Sequence, residues 1–219
     1  MPITTLILDL DETIYPSSTG LWNLIGERIA QFIQIRLGLE PEEIHRLQYQ
    51  YFNTYGTTLR GLELNHGIDA QDYLDYVHDV AIEQILAPDP ALFEVLSSYP
   101  QRKVIFTNSN RAHSRRVLAQ VGIEDLIDDI VDIIDISPYC KPQTEAFQKA
   151  LSLLGELEPT TCLFLDDNLR NIQTAAGLGL PTVYVNENHQ PTLLYPSIRY
   201  LEELPLILST NGDLIKQPD

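Results

Sequence analysis

A pair of aspartates at the end of the first apolar run limits the folds open to this chain more than any other feature. Residues 3–8 are mostly aliphatic and lead directly into Asp9, Leu10 and Asp11. This order predicts a buried strand that carries carboxylates at its C-terminal end. In open α/β sheets, ligands bind at that edge. Because side chains alternate along a strand, Asp9 and Asp11 point the same way if Leu10 enters the core.

Two carboxylates on one side of a strand end repel each other unless a cation or a proton lies between them. The arrangement therefore suits a hard metal ion combined with a nucleophile and an acid/base. On these residues alone, an acidic turn after a strand explains the pattern equally well. Other parts of the chain have to decide between the two interpretations.

The net charge restricts the partners. It is −17 over 219 residues, so the surface repels DNA and RNA, and no nucleic acid polymer is expected. A small phosphorylated ligand is compatible with this net charge if a metal ion and local cations neutralise the charge of the phosphate. No apolar stretch approaches the ~20 residues that a membrane span requires, so no membrane partner is expected.

The cysteines and the N-terminus point to the cytoplasm. Cys140 and Cys162 give no disulfide framework, and Cys162 lies in an apolar run that predicts a core position. Cys140 precedes Lys141, which would lower the pKa of the thiol, although an ordinary free thiol is the simpler interpretation. No basic segment followed by a long apolar one is visible at the N-terminus, so no signal peptide is expected.

Five apolar runs alternate with helical segments. The runs cover residues 3–8, 103–106, 130–134, 162–165 and 182–185. Helices are predicted from near Asn110 to Gly122, from just after Pro142 to Gly155, and from about Leu169 to the glycines at 177 and 179. This alternation predicts an α/β fold with a doubly wound parallel sheet.

The segment between the first two runs breaks this alternation. It carries little strand signal, and its apolar residues recur at helical spacing over residues 21–37. Pro41 opens a second helix, and Asp69 caps a third that carries Ile85. We therefore expect a small helical domain at residues 15–86, inserted into a core of residues 1–14 and 87–219. An insert at this point is placed as a lid over the acidic strand end.

Polar residues also follow the later runs, where the strands are expected to end. They are Thr107 and Asn108 after the second run, Lys141 behind a loop after the third, and Asp166 and Asp167 after the fourth. The carboxyl ends of parallel strands meet at one edge of the sheet, so these groups are expected to lie together. That edge would combine several carboxylates with a hydroxyl and an ammonium.

This set of groups suits a phosphate ester as substrate. Mg²⁺ prefers oxygen ligands, which Asp9, the backbone carbonyl of Asp11, and Asp166 or Asp167 can supply. Asp9 can attack phosphorus in line and form an acyl phosphate. Asp11 can protonate the leaving alcohol and later deprotonate the attacking water.

The remaining strand-end residues would bind the phosphate. The Thr107 hydroxyl, with Asn108 and the first N–H groups of the helix that follows, can hold phosphate oxygens. Lys141 supplies a fixed positive charge among the carboxylates.

Taken in order, these residues resemble the four motifs of the haloacid dehalogenase superfamily. The matching positions are 9–13, 107–108, 141–142 and 166–167, and the resemblance covers residues 3–185. It implies a Rossmann-like core under a helical cap of the first structural class. It also implies a Mg²⁺-dependent phosphate monoester hydrolase that acts through an aspartyl phosphate. Asp167 would then be the direct metal ligand, with Asp166 beside it.

Residues 55–62 look like the cap segment of the pyrimidine 5′-nucleotidase branch of that superfamily. The likeness extends to Tyr15, and it implies a nucleoside monophosphate substrate bound by Thr57, Thr58 and Arg60. Alternatively, the segment is a turn between helices, and Arg60 only pairs with an acid such as Glu63. Glu12 departs from the branch, which commonly has Asn there. His113 is similar to the branch as well, but we expect it on the surface at a helix N-terminus rather than in catalysis.

Other functions share parts of this pattern. A haloacid dehalogenase would lack the second aspartate of the first motif, and Asp11 is present. A phosphoglycolate or sugar-phosphate phosphatase and a phosphomutase use the same core groups, and the cap selects among them. An inactive regulatory protein with this fold would have lost at least one of Asp9, Asp11, Lys141 or Asp167, and none is missing.

Overall fold

The sheet has the predicted doubly wound topology. The computed structural model describes residues 1–155, 158–188 and 194–215. Its strands are β1 (Thr5–Leu8), β2 (Arg102–Phe106), β3 (Asp129–Val131), β4 (Cys162–Asp166), β5 (Thr182–Val185) and β6 (Ser197–Ile198). They form one sheet in the order β3-β2-β1-β4-β5-β6, and each pairing between them is parallel. The α/β fold predicted from the sequence is therefore confirmed.

Eight α-helices accompany the sheet in the described part of the chain. They are α1 (Leu21–Leu37), α2 (Pro41–Tyr55), α3 (Thr58–His66), α4 (Ala70–Val77), α5 (Pro90–Ser97), α6 (Arg111–Val121), α7 (Thr144–Leu154) and α8 (Leu169–Gly177). Five of them lie between β1 and β2, and we call the first four, α1 to α4, the helical insert. Within the described residues, no helix has both the length and the apolar character needed to cross a bilayer.

Alternation along the strands divides the core between the two faces of the sheet. Leu6 and Leu8 pack with α5 and α6 in one apolar cluster, whereas Ile7 packs with α7 and α8 in another. All four residues of β1 are buried, as expected for a strand covered by helices on both sides. The central strand, β1, therefore ends inside the protein, and the packing around it fixes the position of the residues that directly follow it.

Two predicted elements differ from the observed ones. The strand expected at residues 130–134 ends at Val131, because the side chain of Asp132 accepts hydrogen bonds from the backbone N–H groups of Ile134 and Asp135 and turns the chain. Helix α4 ends at Val77, so Ile85 lies beyond it.

Helix α3 is not predicted by the sequence pattern. It begins at Thr57, whose side chain accepts a hydrogen bond from the backbone N–H of Arg60 and so caps the first turn. Gly61 lets α3 lie directly against α2, because a Cβ there would come within 2.2 Å of the Tyr51 ring. Gly61 is thus a packing contact inside a helix, whereas the turn between helices lies at Gly56, the C-cap of α2.

Two glycine-to-alanine substitutions test this packing. Gly61→Ala should lower the free energy of unfolding by about 1–3 kcal/mol, since the added methyl group overlaps the Tyr51 ring. Gly26→Ala is the matched control, because Gly26 is also helical and a methyl group added there would meet nothing within 4 Å. It should raise the stability by about 0.5–1 kcal/mol. Urea unfolding measures both, and a Gly61→Ala protein as stable as wild type would contradict the packing.

Candidate active site

The two aspartates after β1 face one cavity. The backbone N–H of Asp9 continues the ladder to Leu165 at 2.9 Å, and Leu10 is fully buried in the core. Asp9 and Asp11 then both line a cavity of about 240 Å³ at the carboxyl edge of the sheet. This is the arrangement expected if Leu10 points into the core.

A buried ammonium holds the acidic groups together. Lys141 Nζ lies 2.8 Å from Asp9 Oδ1 and 2.7 Å from Asp166 Oδ2, and its side chain is 1% exposed. Burial alone would lower the pKa of Lys141, but Asp166 and Asp9 raise it to about 12. Lys141 therefore stays charged and fixes the direction of the Asp9 carboxylate.

Asp166 and Asp167 are placed differently. Asp166 is fully buried, and its oxygens accept hydrogen bonds from Lys141, from the Asn171 side chain (2.9 and 3.0 Å) and from the backbone N–H of Asn168 (2.8 Å). Asp167 lines the cavity. Both oxygens of Asp166 thus already accept hydrogen bonds from the protein, whereas Asp167 faces the cavity.

The donor set fits a hard divalent cation. Asp9, Asp166 and Asp167 each offer an oxygen, and these atoms lie within 4.8 Å of one another. Burial raises the pKa of Asp167 to about 9, with Asp166 and Asp9 adding to the rise. Burial likewise raises the pKa of Asp9 to about 7, although Lys141 opposes it. One ammonium does not compensate three carboxylates, and an all-oxygen site with excess negative charge is the kind that Mg²⁺ occupies.

Three donors surround the carboxylate of Asp11. Tyr15 Oη donates to Oδ1 at 2.7 Å, Ser109 Oγ donates to Oδ2 at 2.5 Å, and His113 Nε2 lies 3.0 Å from Oδ1. Burial would raise the pKa of Asp11, but His113, Ser109 and Tyr15 hold it well below its usual range. The three contacts therefore fix Asp11 in one orientation.

His113 was expected on the surface, and that prediction is wrong. Its side chain is fully buried, because the first turn of α6 points toward the strand ends. Asn110 caps this turn by accepting the backbone N–H of His113 at 2.9 Å. A histidine near a helix start usually faces water, but here the helix start itself lies under the insert.

The loop after β2 contributes Thr107 and Asn108, and both line the cavity. Thr107 Oγ1 accepts the backbone N–H of Ser109 at 2.9 Å. Asn108 exchanges two hydrogen bonds with the backbone of Lys141, at 3.0 and 2.9 Å. Asn108 thereby also fixes the loop that carries Lys141.

The insert supplies Thr57 and Thr58 to the cavity, at the start of α3, but not Arg60. Arg60 is 4% exposed. Its Nη1 pairs with Glu63 at 2.6 Å, and its Nη2 donates to the carbonyls of Ile133 and Tyr139. The expectation that Arg60 binds substrate is therefore corrected, because its guanidinium ties α3 to the loop after β3.

Cys140 also lies where this loop meets the insert. Its thiol donates to the carbonyl of Tyr55 at 3.1 Å. Burial raises the pKa of the thiol, so the idea that Lys141 activates it is wrong. Gly56, with φ of +93°, lies so close that a Cβ would come within 2.8 Å of the Cys140 sulfur and 3.0 Å of the Lys141 carbonyl.

The half of the cavity under the insert is largely apolar. Its lining there includes Trp22, Ile25, Ile29, Phe52, Leu59, Tyr73 and Leu74. Among the described residues that line the cavity, Lys141 is the only lysine or arginine. One side of the cavity is thus lined by charged groups and the other mainly by apolar ones.

Sequence reasoning missed Ser109, Asn171 and His78. Ser109 and Asn171 bond to Asp11 and Asp166, and His78 lines the cavity from the end of α4. Ser109 and Asn171 each stand close to a motif that was identified, so proximity was a usable signal. Nothing in the sequence around His78 indicates its position.

Asp167 can be tested without any enzyme assay. Its raised pKa means that the folded protein holds this proton more tightly than the unfolded chain does. Protonation of Asp167 therefore stabilises the folded protein. This stabilisation is complete below pH 3.8, the pKa of the group in the unfolded chain, and it is lost as the pH rises through about 9. At pH 8 in EDTA, Asp167→Asn should therefore melt at a higher temperature than wild type. Mg²⁺ should raise the melting temperature of wild type and have little effect on the variant.

The matched control for this experiment is Asp125→Asn, because Asp125 is an exposed aspartate. It should show the same response to Mg²⁺ as wild type. An equal Mg²⁺-induced shift in Asp167→Asn and wild type would show that Asp167 holds no metal.

Comparison with known proteins identifies a matching family and a similar yeast protein. Residues 3–179 match the family model of the haloacid dehalogenase-like hydrolases. "Phosphate metabolism protein 8" of Saccharomyces cerevisiae is 29% identical, over 91% of this chain and 71% of the yeast protein.

Two solved structures have a similar fold at 20% identity. The HAD hydrolase YfnB of Bacillus subtilis, solved with magnesium, has a TM-score of 0.63 and covers 94% of this chain and 99% of its own. A HAD phosphatase of Thermococcus onnurineus has a TM-score of 0.62, with 97% and 100% covered.

Proposed function

The chain belongs to the haloacid dehalogenase-like hydrolases, and from this premise we propose that it is a magnesium-dependent phosphate monoester hydrolase. One observation carries the proposal: Lys141 joins Asp9 to the buried Asp166, and Lys141 and Asp9 line a cavity together with Asp11 and Asp167. We take residues 15–86 as a cap domain over a core of residues 1–14 and 87–219.

In the proposed reaction, a carboxylate oxygen of Asp9 attacks the phosphorus of the ester. The bond between phosphorus and the leaving oxygen breaks, and Asp11 gives its proton to that oxygen. A water molecule then attacks the phosphorus of the aspartyl phosphate while Asp11 takes a proton from that water. Inorganic phosphate leaves, and Asp9 is restored. The proton that Asp11 gains in this step is the one it gives up in the next cycle.

The other residues bind and compensate charge. Thr107 and Asn108 line the cavity, where their side chains would bind phosphate oxygens. The expectation that the first N–H groups of α6 take part is corrected, because those of Arg111 and His113 bond to the side chains of Asp132 and Asn110. Lys141 balances the negative charge around Asp9. Asp9, Asp167 and the carbonyl of Asp11 would hold Mg²⁺, which when bound offsets the charge of the phosphoryl group.

The presence of Asp11 and of the acidic pair after β4 favours this reaction over dehalogenation. Dehalogenation in this superfamily uses an aspartate nucleophile without a metal and lacks the second aspartate. An inactive regulatory role fits poorly with a complete set of buried, charge-compensated groups, since such groups are costly to keep. The name of the yeast relative refers to phosphate metabolism, which agrees with a phosphate substrate.

We propose a nucleoside 5′-monophosphate as substrate, with pyrimidines ahead of purines. The uncharged half of the cavity, with Trp22, Phe52 and Tyr73 in its lining, suits an aromatic base. Thr57 and Thr58 offer hydroxyls beside it, and a volume of about 240 Å³ favours a small ring. Phosphoglycolate carries a second anionic group, and in the described lining the single Lys141 is already paired with two carboxylates.

The test is release of phosphate, with Mg²⁺ present, from UMP, CMP, AMP, phosphoglycolate and glucose 6-phosphate. We expect the highest kcat/KM for UMP or CMP. Asp9→Asn should lose activity on every substrate by several orders of magnitude while remaining folded, and Asp125→Asn should stay active. If phosphoglycolate or the sugar phosphate is preferred, the nucleotidase assignment fails but the phosphatase stands. If nothing is hydrolysed, or Asp9→Asn keeps substantial activity, the phosphatase mechanism fails.

In the same panel, Thr58→Val tests the contact to the nucleoside. Loss of one hydrogen bond should lower kcat/KM for UMP about 2- to 10-fold. Thr210→Val is the matched control at an exposed position far along the chain, and it should have no effect.

A further inference from the structure

His113 reaches Asp11 from behind the cavity. Asp11, Ser109 and Thr107 line the cavity, whereas His113 does not. Its Nε2 nevertheless lies 3.0 Å from Asp11 Oδ1, and its side chain is fully buried. Since His113 touches no part of the space open to substrate, it can influence the reaction only through Asp11.

The three contacts to Asp11 act from different directions. Tyr15 stands four residues away in the chain, Ser109 follows β2, and His113 belongs to α6. Oδ1 is shared by Tyr15 and His113, and Oδ2 is held by Ser109. A carboxylate held on both oxygens cannot rotate about its Cβ–Cγ bond without losing hydrogen bonds, so its plane is fixed relative to Asp9.

His113 is in turn supported by the insert. The ring of His78, directly after α4, stacks on the ring of His113 with centroids 4.2 Å apart and planes 14° apart. The carbonyl of His78 accepts a hydrogen bond from Arg116 of α6 at 3.0 Å. In the described residues Nδ1 of each histidine has no hydrogen-bond partner. The stack and the contact with Asp11 are therefore what orient the His113 ring.

Resting on the hydrolase reaction above, we propose that His113 is a positioning residue that aims the Asp11 carboxylate at the leaving oxygen, and that His78 holds His113 in place. His78 also lines the substrate cavity. The insert thus contributes to the orientation of the acid/base as well as to the binding of the leaving group.

The proposal makes a distinctive kinetic prediction. An acid that is badly aimed delays departure of a basic leaving oxygen far more than departure of a stable one. Phenyl phosphate and p-nitrophenyl phosphate have leaving groups of nearly the same shape, but nitrophenolate leaves more easily. The value of kcat/KM reports steps up to release of the leaving group, so slow hydrolysis of the aspartyl phosphate does not affect the comparison.

The variants are His113→Gln and His113→Asn. Glutamine can place an N–H donor near the position of the imidazole Nε2, whereas asparagine is too short to reach Asp11. We expect His113→Asn to lower kcat/KM for phenyl phosphate about 10- to 100-fold and for p-nitrophenyl phosphate less than about 3-fold. His113→Gln should recover most of the loss. His66→Gln is the control, because His66 pairs with Tyr51 within the insert, and it should leave both values unchanged.

His78 gives an independent check on the same readout. His78→Phe keeps a flat ring on His113 and should remain close to wild type, whereas His78→Ala should show a smaller loss of the same kind as His113→Asn. Melting temperatures in the assay buffer confirm that each variant is folded.

Equal losses on the two esters, no loss in a folded His113→Asn protein, or no recovery in His113→Gln would overturn the positioning role. Failure of the proposed function is seen separately, since wild type itself would then release neither phenol nor nitrophenol.

Discussion

The buried Lys141 ammonium is the contact on which the rest of the site depends. Its pairs with Asp9 and Asp166 link the ends of β1 and β4 to the loop after β3. Removing Lys141 would leave both carboxylates uncompensated in the interior, which is strongly destabilising. The parallel order β3-β2-β1-β4 brings these strand ends to one edge. The fold and the charge compensation therefore require each other, and the charge that remains on Asp9 and Asp167 provides the place for a cation.

The helical insert is attached to this charged edge at several points. Arg60 bonds to carbonyls after β3, Gly56 packs beside Cys140, and His78 stacks on His113. These contacts bring an apolar surface against a polar one and leave the cavity between them. Exclusion of water by such a surface strengthens the electrostatic contacts beneath it. In the proposed mechanism, the same elements of the insert would select the substrate and orient the acid/base.

The core was predictable because its signals are local. An apolar run followed by Asp9, Leu10 and Asp11 identifies both the strand and the direction of the carboxylates. Arg60 and His113 show the limit of this reasoning. Arg60 resembles a substrate ligand in the sequence, but it is buried and links α3 to the loop after β3. His113 was expected on the surface, but it contacts Asp11. In both cases the deciding partners, Ile133 and Asp11, lie 73 and 102 positions away in the chain. Pattern and propensity do not report contacts over that distance.

Chemical trapping of the aspartyl phosphate tests the central claim most directly. The enzyme is mixed with p-nitrophenyl phosphate and Mg²⁺, quenched during turnover and treated with borohydride, which reduces an acyl phosphate to an alcohol. Mass spectrometry of the peptides then locates the reduced residue. We predict homoserine at position 9 in wild type and none in a sample without substrate. Sustained turnover with Asp9 unmodified, or modification at Asp11 or Asp167 instead, would contradict Asp9 as the nucleophile.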